Sequence, residues 1–120
     1  MSELNSQFGG GAARSAVPVT AAYSVVLDPL DVQNYTNFGF YLQNIAGGDT
    51  MTSALAETAP TKDGPWTTVH ELLGAPLAAN GSTFYQLSQQ ALKYLRVSAT
   101  CGAGDSTTLN VWLCAARYGR

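Results

Sequence analysis

The sequence predicts an all-β domain, and three observations carry that prediction. Segments rich in Val, Thr, Tyr, Phe and Trp follow one another from Val19 to Ala116. Turn chemistry separates them: Asp28-Pro29, Ala46-Gly47-Gly48-Asp49, Lys62-Asp63-Gly64-Pro65, Gly74-Ala75-Pro76, Asn80-Gly81 and Gly102-Ala103-Gly104-Asp105. Within several segments apolar and polar residues alternate, the period of a half-buried strand. Short strands spaced in this way suggest a sandwich or a barrel.

Residues 1–16 read as a flexible N-terminal arm. Gly9, Gly10 and Gly11 are consecutive, with small or polar residues around them. Such a stretch buries too little surface to offset its ordering entropy. It is expected to be disordered alone, or ordered only by a neighbour. Phe8 is the arm's aromatic residue and a candidate contact. Residues 17–120 then form the β-sandwich domain.

The expected strands are Val19–Leu27, Thr36–Ile45, Thr50–Thr58, Trp66–Leu73, Thr83–Ser88, Lys93–Thr100 and Thr107–Ala116. The helix-like stretch Ser88–Leu92 is too short to stand alone. Placing a hairpin at Gly104 sets Leu95 opposite Leu113, Val97 opposite Val111 and Ala99 opposite Leu109. All six then share one face, the core. The other face pairs Arg96 with Trp112, a cross-strand cation–π contact. That two-faced pattern is expected of a sandwich wall. In Thr36–Ile45, Phe38, Phe40 and Leu42 share one face, while Tyr41 lies on the other. Tyr35, Tyr41 and Trp112 are thus expected outside the core, where contiguous aromatics mark an interface. With Phe8 and Arg96 they make the candidate interface set.

Composition narrows the function. Hydrophobic residues are 46% of the 120 and charged residues only 12%, about half the usual share. The polar surface therefore comes from Ser, Thr, Asn, Gln and Gly, which suits flat packing against other protein. Net charge is −2 and the six Lys and Arg residues are scattered. Nucleic-acid binding, which needs several neutralised phosphates, is not expected. No apolar run approaches the ~18 residues of a membrane-spanning helix. The N-terminus lacks the pattern of a secretory signal, so folding in a cytoplasm is expected.

Chemistry is not expected either. Cys101 and Cys114, in the hairpin register, lie about 20 Å apart at ~3.3 Å per residue, too far for an intrachain disulfide. Two cysteines and one distant histidine lack zinc-site spacing. His70, beside Glu71 on a strand, reads as a surface pair rather than a general base. Asp28, Asp31, Asp49, Asp63 and Asp105 sit at expected turns, where aspartates hydrogen-bond their own backbone. No nucleophile elbow, P-loop or dinucleotide fingerprint is present. No enzyme activity, cofactor or metal is expected.

Two stretches resemble small virion proteins of tailed bacteriophages. One is Ser53–Thr58 followed by Lys62-Asp63-Gly64-Pro65-Trp66-Thr67-Thr68-Val69, a hairpin with an Asp-Gly-x-Trp turn. The other is Tyr94-Leu95-Arg96-Val97-Ser98-Ala99 with Leu109-Asn110-Val111-Trp112-Leu113. The resemblance spans about Thr36 to Ala116. It implies a jelly-roll-like antiparallel β-sandwich, and it is greatest to capsid decoration, or cement, proteins. Such proteins sit on the shell exterior of the virion, often as trimers, and clamp the major capsid protein. The resemblance thus implies a homo-oligomer on the capsid surface, assembled in the host cytoplasm, with neither nucleic acid nor membrane as partner. A tail, neck or head-fibre attachment protein is the neighbouring possibility. The alternative from the residues is a carbohydrate-binding β-sandwich using Trp66, Tyr85 and Trp112.

Overall fold

The six strands expected from Thr36 onward are all present, and two strands precede them. The computed structural model describes residues 9–45 and 47–116. In order the strands are β1 (Gly9–Val19), β2 (Ser24–Asp31), β3 (Asn37–Asn44), β4 (Met51–Ala59), β5 (Thr67–Glu71), β6 (Ser82–Leu87), β7 (Tyr94–Cys101) and β8 (Thr107–Ala116). They form two antiparallel four-stranded sheets, β1-β8-β3-β6 and β2-β7-β4-β5. Among the described strands only β4 and β5 are consecutive neighbours within one sheet; every other connection crosses from sheet to sheet. That order is a jelly roll, two Greek keys folded into a sandwich.

The core lies between the sheets. β8 contributes Leu109, Val111 and Leu113 from alternate positions, and β3 contributes Phe38, Phe40 and Leu42. Leu95, Val97 and Ala99 of β7 meet them from the second sheet, with Ala54 and Ala56 of β4 beside them. The small alanines opposite two buried phenylalanines let the layers interdigitate. Asn44 is fully buried, and its amide is satisfied. It donates to the carbonyls of Asp49 (2.9 Å) and Leu77 (2.8 Å) and accepts from the Thr107 hydroxyl.

Three expectations change. First, the boundary between arm and domain does not fall at residue 16. Gly9 to Arg14 pair with β8 from Ala116 to Val111, and after a register shift Val17 to Val19 pair with Leu109 to Thr107. The glycines carry no strand signal of their own; the exposed edge of β8 supplies their hydrogen bonds. Residues 1–8, the rest of the expected arm, lie outside the described residues, and so does Phe8.

Second, the expected strand Val19–Leu27 spans the end of β1, a connection, and the start of β2. The expected turn at Asp28-Pro29 is interior to β2, which pairs with β7 through two register shifts, between Val25 and Leu27 and between Leu27 and Leu30. β2 is an edge strand, where a proline and irregular pairing are tolerated.

Third, β7 and β8 are not a hairpin. The Gly102–Asp105 turn, closed by Asp105 N–H to Gly102 O at 3.0 Å, carries the chain from one sheet to the other. Leu95, Val97, Ala99, Leu109, Val111 and Leu113 do all face the core, but across the sandwich rather than along one sheet. Arg96 and Trp112 therefore sit on opposite outer faces.

The open sides of the sandwich are closed by side chains. Arg14 of β1 reaches Asp28 of β2 at 3.4 Å. On the other side, the His70 ring of β5 stacks on Tyr85 of β6, with centroids 4.5 Å apart and planes at 19°. His70 thus packs against an aromatic ring rather than forming the expected surface pair with Glu71. The Glu71 carboxylate accepts from Ser53 Oγ and from the backbone of Ala54 and Leu73 instead.

Candidate sheet-face interface

The outer face of the β1-β8-β3-β6 sheet is built by the residues that the core alternation leaves over. Facing inward at Val111 and Leu113 turns Trp112 outward; facing inward at Phe40 and Leu42 turns Tyr41 outward. The strand register then aligns them. Ala13, Trp112, Tyr41 and Phe84 are successive cross-strand partners in one row across all four strands. Adjacent strands lie about 4.8 Å apart, so the three aromatic rings form one contiguous strip. Tyr41 and Phe84 are each 47% exposed and Trp112 is 40% exposed. The Tyr41 and Phe84 rings touch, with centroids 4.5 Å apart and planes tilted by 44°.

The rows on either side are small or amide-bearing. One row is Gly11, Cys114, Gly39 and Gln86; the other is Asn110, Gln43 and Ser82. Asn110 Nδ2 donates to Gln43 Oε1 at 3.1 Å. A shallow groove of about 600 Å³ runs beside the strip, lined by Tyr41, Gln43, Ser82, Thr83, Phe84 and Trp112. None of the residues in these rows carries a formal charge. A face of this kind loses little by desolvation and gains from aromatic burial, the combination found at the centre of protein interfaces.

The structure brings together two members of the expected interface set, Tyr41 and Trp112, and separates the others. Tyr35 is half-buried and packs on the core. Arg96 stands on the outer face of the other sheet. Its Nε donates to Glu57 Oε1 at 2.7 Å, Ser98 Oγ donates to the same oxygen at 2.7 Å, and its guanidinium lies 4.2 Å from the Trp66 ring centre. The Arg–Trp contact is thus present with Trp66, not Trp112. Phe84 is the member of the exposed strip that sequence reasoning missed. Phe84 and Tyr85 are adjacent aromatics, and alternation alone does not decide which of two neighbours faces out. The inward position of Leu87, three residues on, points Phe84 outward, and that is the available signal.

Cys101 and Cys114 are both free thiols, the first buried and the second exposed. Burial pushes the Cys101 thiol pKa up, and the nearby carboxylates of Asp105 and Asp49 push it further. Among the described residues no three His, Cys, Asp or Glu side chains gather where a metal ion could be held. No described helix is long and apolar enough to cross a membrane.

No protein-family model matches the chain, and no curated protein matches it. Solved structures do. A chain from Bacillus endospore appendages, described as a family of disulfide-linked pili, is 13% identical, with a TM-score of 0.58 over 96% of this chain and 94% of that one. The SPBc2 prophage-derived protein YomS is 8% identical, with a TM-score of 0.51 over 92% and 98%. A chain of infectious bursal disease virus, Gx strain, is 12% identical, with a TM-score of 0.51 over 93% of this chain and 33% of its own length. At these identities the likeness is one of fold.

Proposed function

We propose that this chain is a non-enzymatic structural protein of a virion that binds the exterior of the capsid shell, with the outer face of the β1-β8-β3-β6 sheet as its attachment surface. The observation that carries the proposal is the uncharged strip Trp112–Tyr41–Phe84, which no part of the described chain covers. Three contiguous exposed aromatics in one row are an unusual cost for a domain that stays alone in water. The same fold in a pilus protein, a prophage-derived protein and a virus chain supports a place in an assembled structure. The partner is then the major capsid protein, and many copies on a lattice raise the effect of each modest contact by avidity.

The test is co-sedimentation of the purified chain with shells lacking it. Trp112→Arg and Tyr41→Arg place a charge in the strip without touching the core. Each is expected to weaken binding by about 30-fold or more, the scale of an interface hot spot. Wild-type-like binding by both folded variants removes the strip from the interface and the proposal with it.

A second reading is favoured by one feature, the groove beside the strip. Its Gln43, Ser82 and Thr83 offer amide and hydroxyl groups next to exposed aromatic rings, which suits a neutral glycan. Of the aromatics expected for such a site only Trp112 is free. Trp66 lies under Arg96, and Tyr85 lies against His70. A glycan array probed with the full chain separates the readings, because shell attachment predicts an empty array.

A further inference from the structure

The first half of β1 is an unusual edge strand. Gly9 to Arg14 contribute no fully buried side chain: Gly11 and Ala13 are exposed and Ala12 is only half-buried. Val17 and Val19, after the register shift, are buried at 4% and 0% exposure. One strand therefore has two unlike halves, anchored by the core at Val17–Val19 and held mainly by ladder hydrogen bonds at Gly9–Arg14. The one ionic contact of the weak half, Arg14 to Asp28 at 3.4 Å, is exposed on both sides and adds little. Segments with few buried apolar contacts open first.

Between the halves lies a strained joint. Ala16 has φ 54°, in the left-handed region that is unfavourable for a residue with a Cβ. The register shift between Arg14 and Val17 falls there, and Ala16 N–H is held by Asn110 Oδ1 at 2.8 Å. Folding Gly9–Arg14 back onto its own β8 requires this conformation. When the segment swings out, Ala16 is free to become extended, and β8 from Val111 to Ala116 offers an unpaired edge.

We propose that Gly9–Arg14 is an exchange segment: it detaches at Ser15–Ala16 and pairs with β8 of a second copy of this chain. The acceptor edge and the donor strand are both shown by the closed chain, so the exchanged pairing repeats the same register with no new contact required. Opening relieves the joint at Ala16, which tips the balance towards exchange at high local concentration. Reciprocal exchange gives a closed dimer; head-to-tail exchange gives a ring or a filament. The inference stands apart from the shell reading, because its partner is another copy of this chain.

The test uses the register itself. Gly11 is the direct cross-strand partner of Cys114, and a Cβ at Gly11 meets only the Leu113 carbonyl at 3.3 Å. Opposed antiparallel residues have Cα atoms about 4.5–5.5 Å apart, within disulfide range. Full-length Gly11→Cys is oxidised across a range of concentrations, run on a denaturing non-reducing gel, and its bonds are mapped by mass spectrometry. Exchange predicts covalent multimers, growing with concentration, that contain the bond between the introduced thiol and Cys114. That bond confined to monomers at every concentration overturns the proposal, as do multimers joined only through Cys114 to Cys114. An independent variant leaves β1 unaltered at Gly11. Ala16→Gly removes the cost of the left-handed joint and is expected to move the monomer–multimer midpoint to about tenfold higher concentration in sedimentation. An unchanged midpoint, or a wild-type chain that is monomeric throughout, overturns it.

Discussion

The Phe84 ring lies directly over Gly39: a Cβ built at Gly39 would come within 2.9 Å of Phe84 Cε1. The bare backbone of β3 is what lets this ring lie down beside Tyr41 and continue the aromatic strip to the edge strand. A glycine in a central strand weakens the strand itself, and the covering ring offsets that loss, as aromatic rings do over strand glycines elsewhere. Gly39→Ala is therefore expected to lift the Phe84 ring while leaving the core intact. The atom met is the end of a movable side chain, so stability should change by less than about 1 kcal/mol. Chemical denaturation checks the stability, and nuclear Overhauser contacts between Tyr41 and Phe84 check the strip. Loss of those contacts with little loss of stability is the expected pair of results.

Gly48 makes the contrasting case. A Cβ there would lie 1.8 Å from Thr107 Oγ1 and 3.2 Å from the Thr107 Cα, so backbone as well as side chain stands in the way. Thr107 is itself tied to buried Asn44. Gly48→Ala is expected to destabilise the fold by about 1–3 kcal/mol, the cost of overpacking a tight site. The shift of the urea midpoint measures it.

Arg96 belongs to the second sheet's own structure. Its ion pair with Glu57 is mostly shielded, with side chains 23% and 15% exposed, and Ser98 and Trp66 complete the cluster. Arg96→Leu removes the cationic partner of the Glu57 carboxylate and leaves it with the Ser98 hydroxyl alone. The expected cost is about 1–3 kcal/mol, with attachment to shells unchanged because the aromatic strip lies on the other sheet. Weakened attachment in a folded Arg96→Leu chain would extend the interface to the second sheet.

The two cysteines are expected to differ in reactivity. Cys114 stands exposed in the row next to Trp112, so an alkylating reagent should modify it in the native chain. Binding through the strip should protect it. Cys101, buried and with its pKa raised, should react only on unfolding. A raised folded pKa means the native state holds the thiol proton more tightly than the unfolded chain. The Cys101 contribution is thus fully present below the unfolded value of 9.0 and is lost as pH rises from there through the folded value. Cys101→Ala should flatten the alkaline end of the stability profile, measured by denaturant titration at several pH values.

What the sequence made legible follows from what alternation encodes. Period two reports which face a residue takes, and so Leu95, Val97, Leu109 and Val111 read as core and Tyr41 and Trp112 as surface. It does not report which strand lies alongside. In a jelly roll nearly every connection crosses between sheets, so the glycine-rich turn Gly102-Ala103-Gly104-Asp105 suggests a hairpin between two strands that are not neighbours. The same error placed Arg96 beside Trp112. β1 was illegible for a different reason: Gly9–Ala13 have no side-chain signal for a strand, and only the edge of β8 orders them. Pro29 gave a turn signal that the irregular edge pairing of β2 absorbed.

The most direct test of the shell-attachment account is quantitative mass spectrometry across a density gradient of lysate from the source. The account predicts that the chain travels with large particles, in a fixed and high ratio to one major shell protein. A chain that stays entirely with small soluble proteins would contradict it.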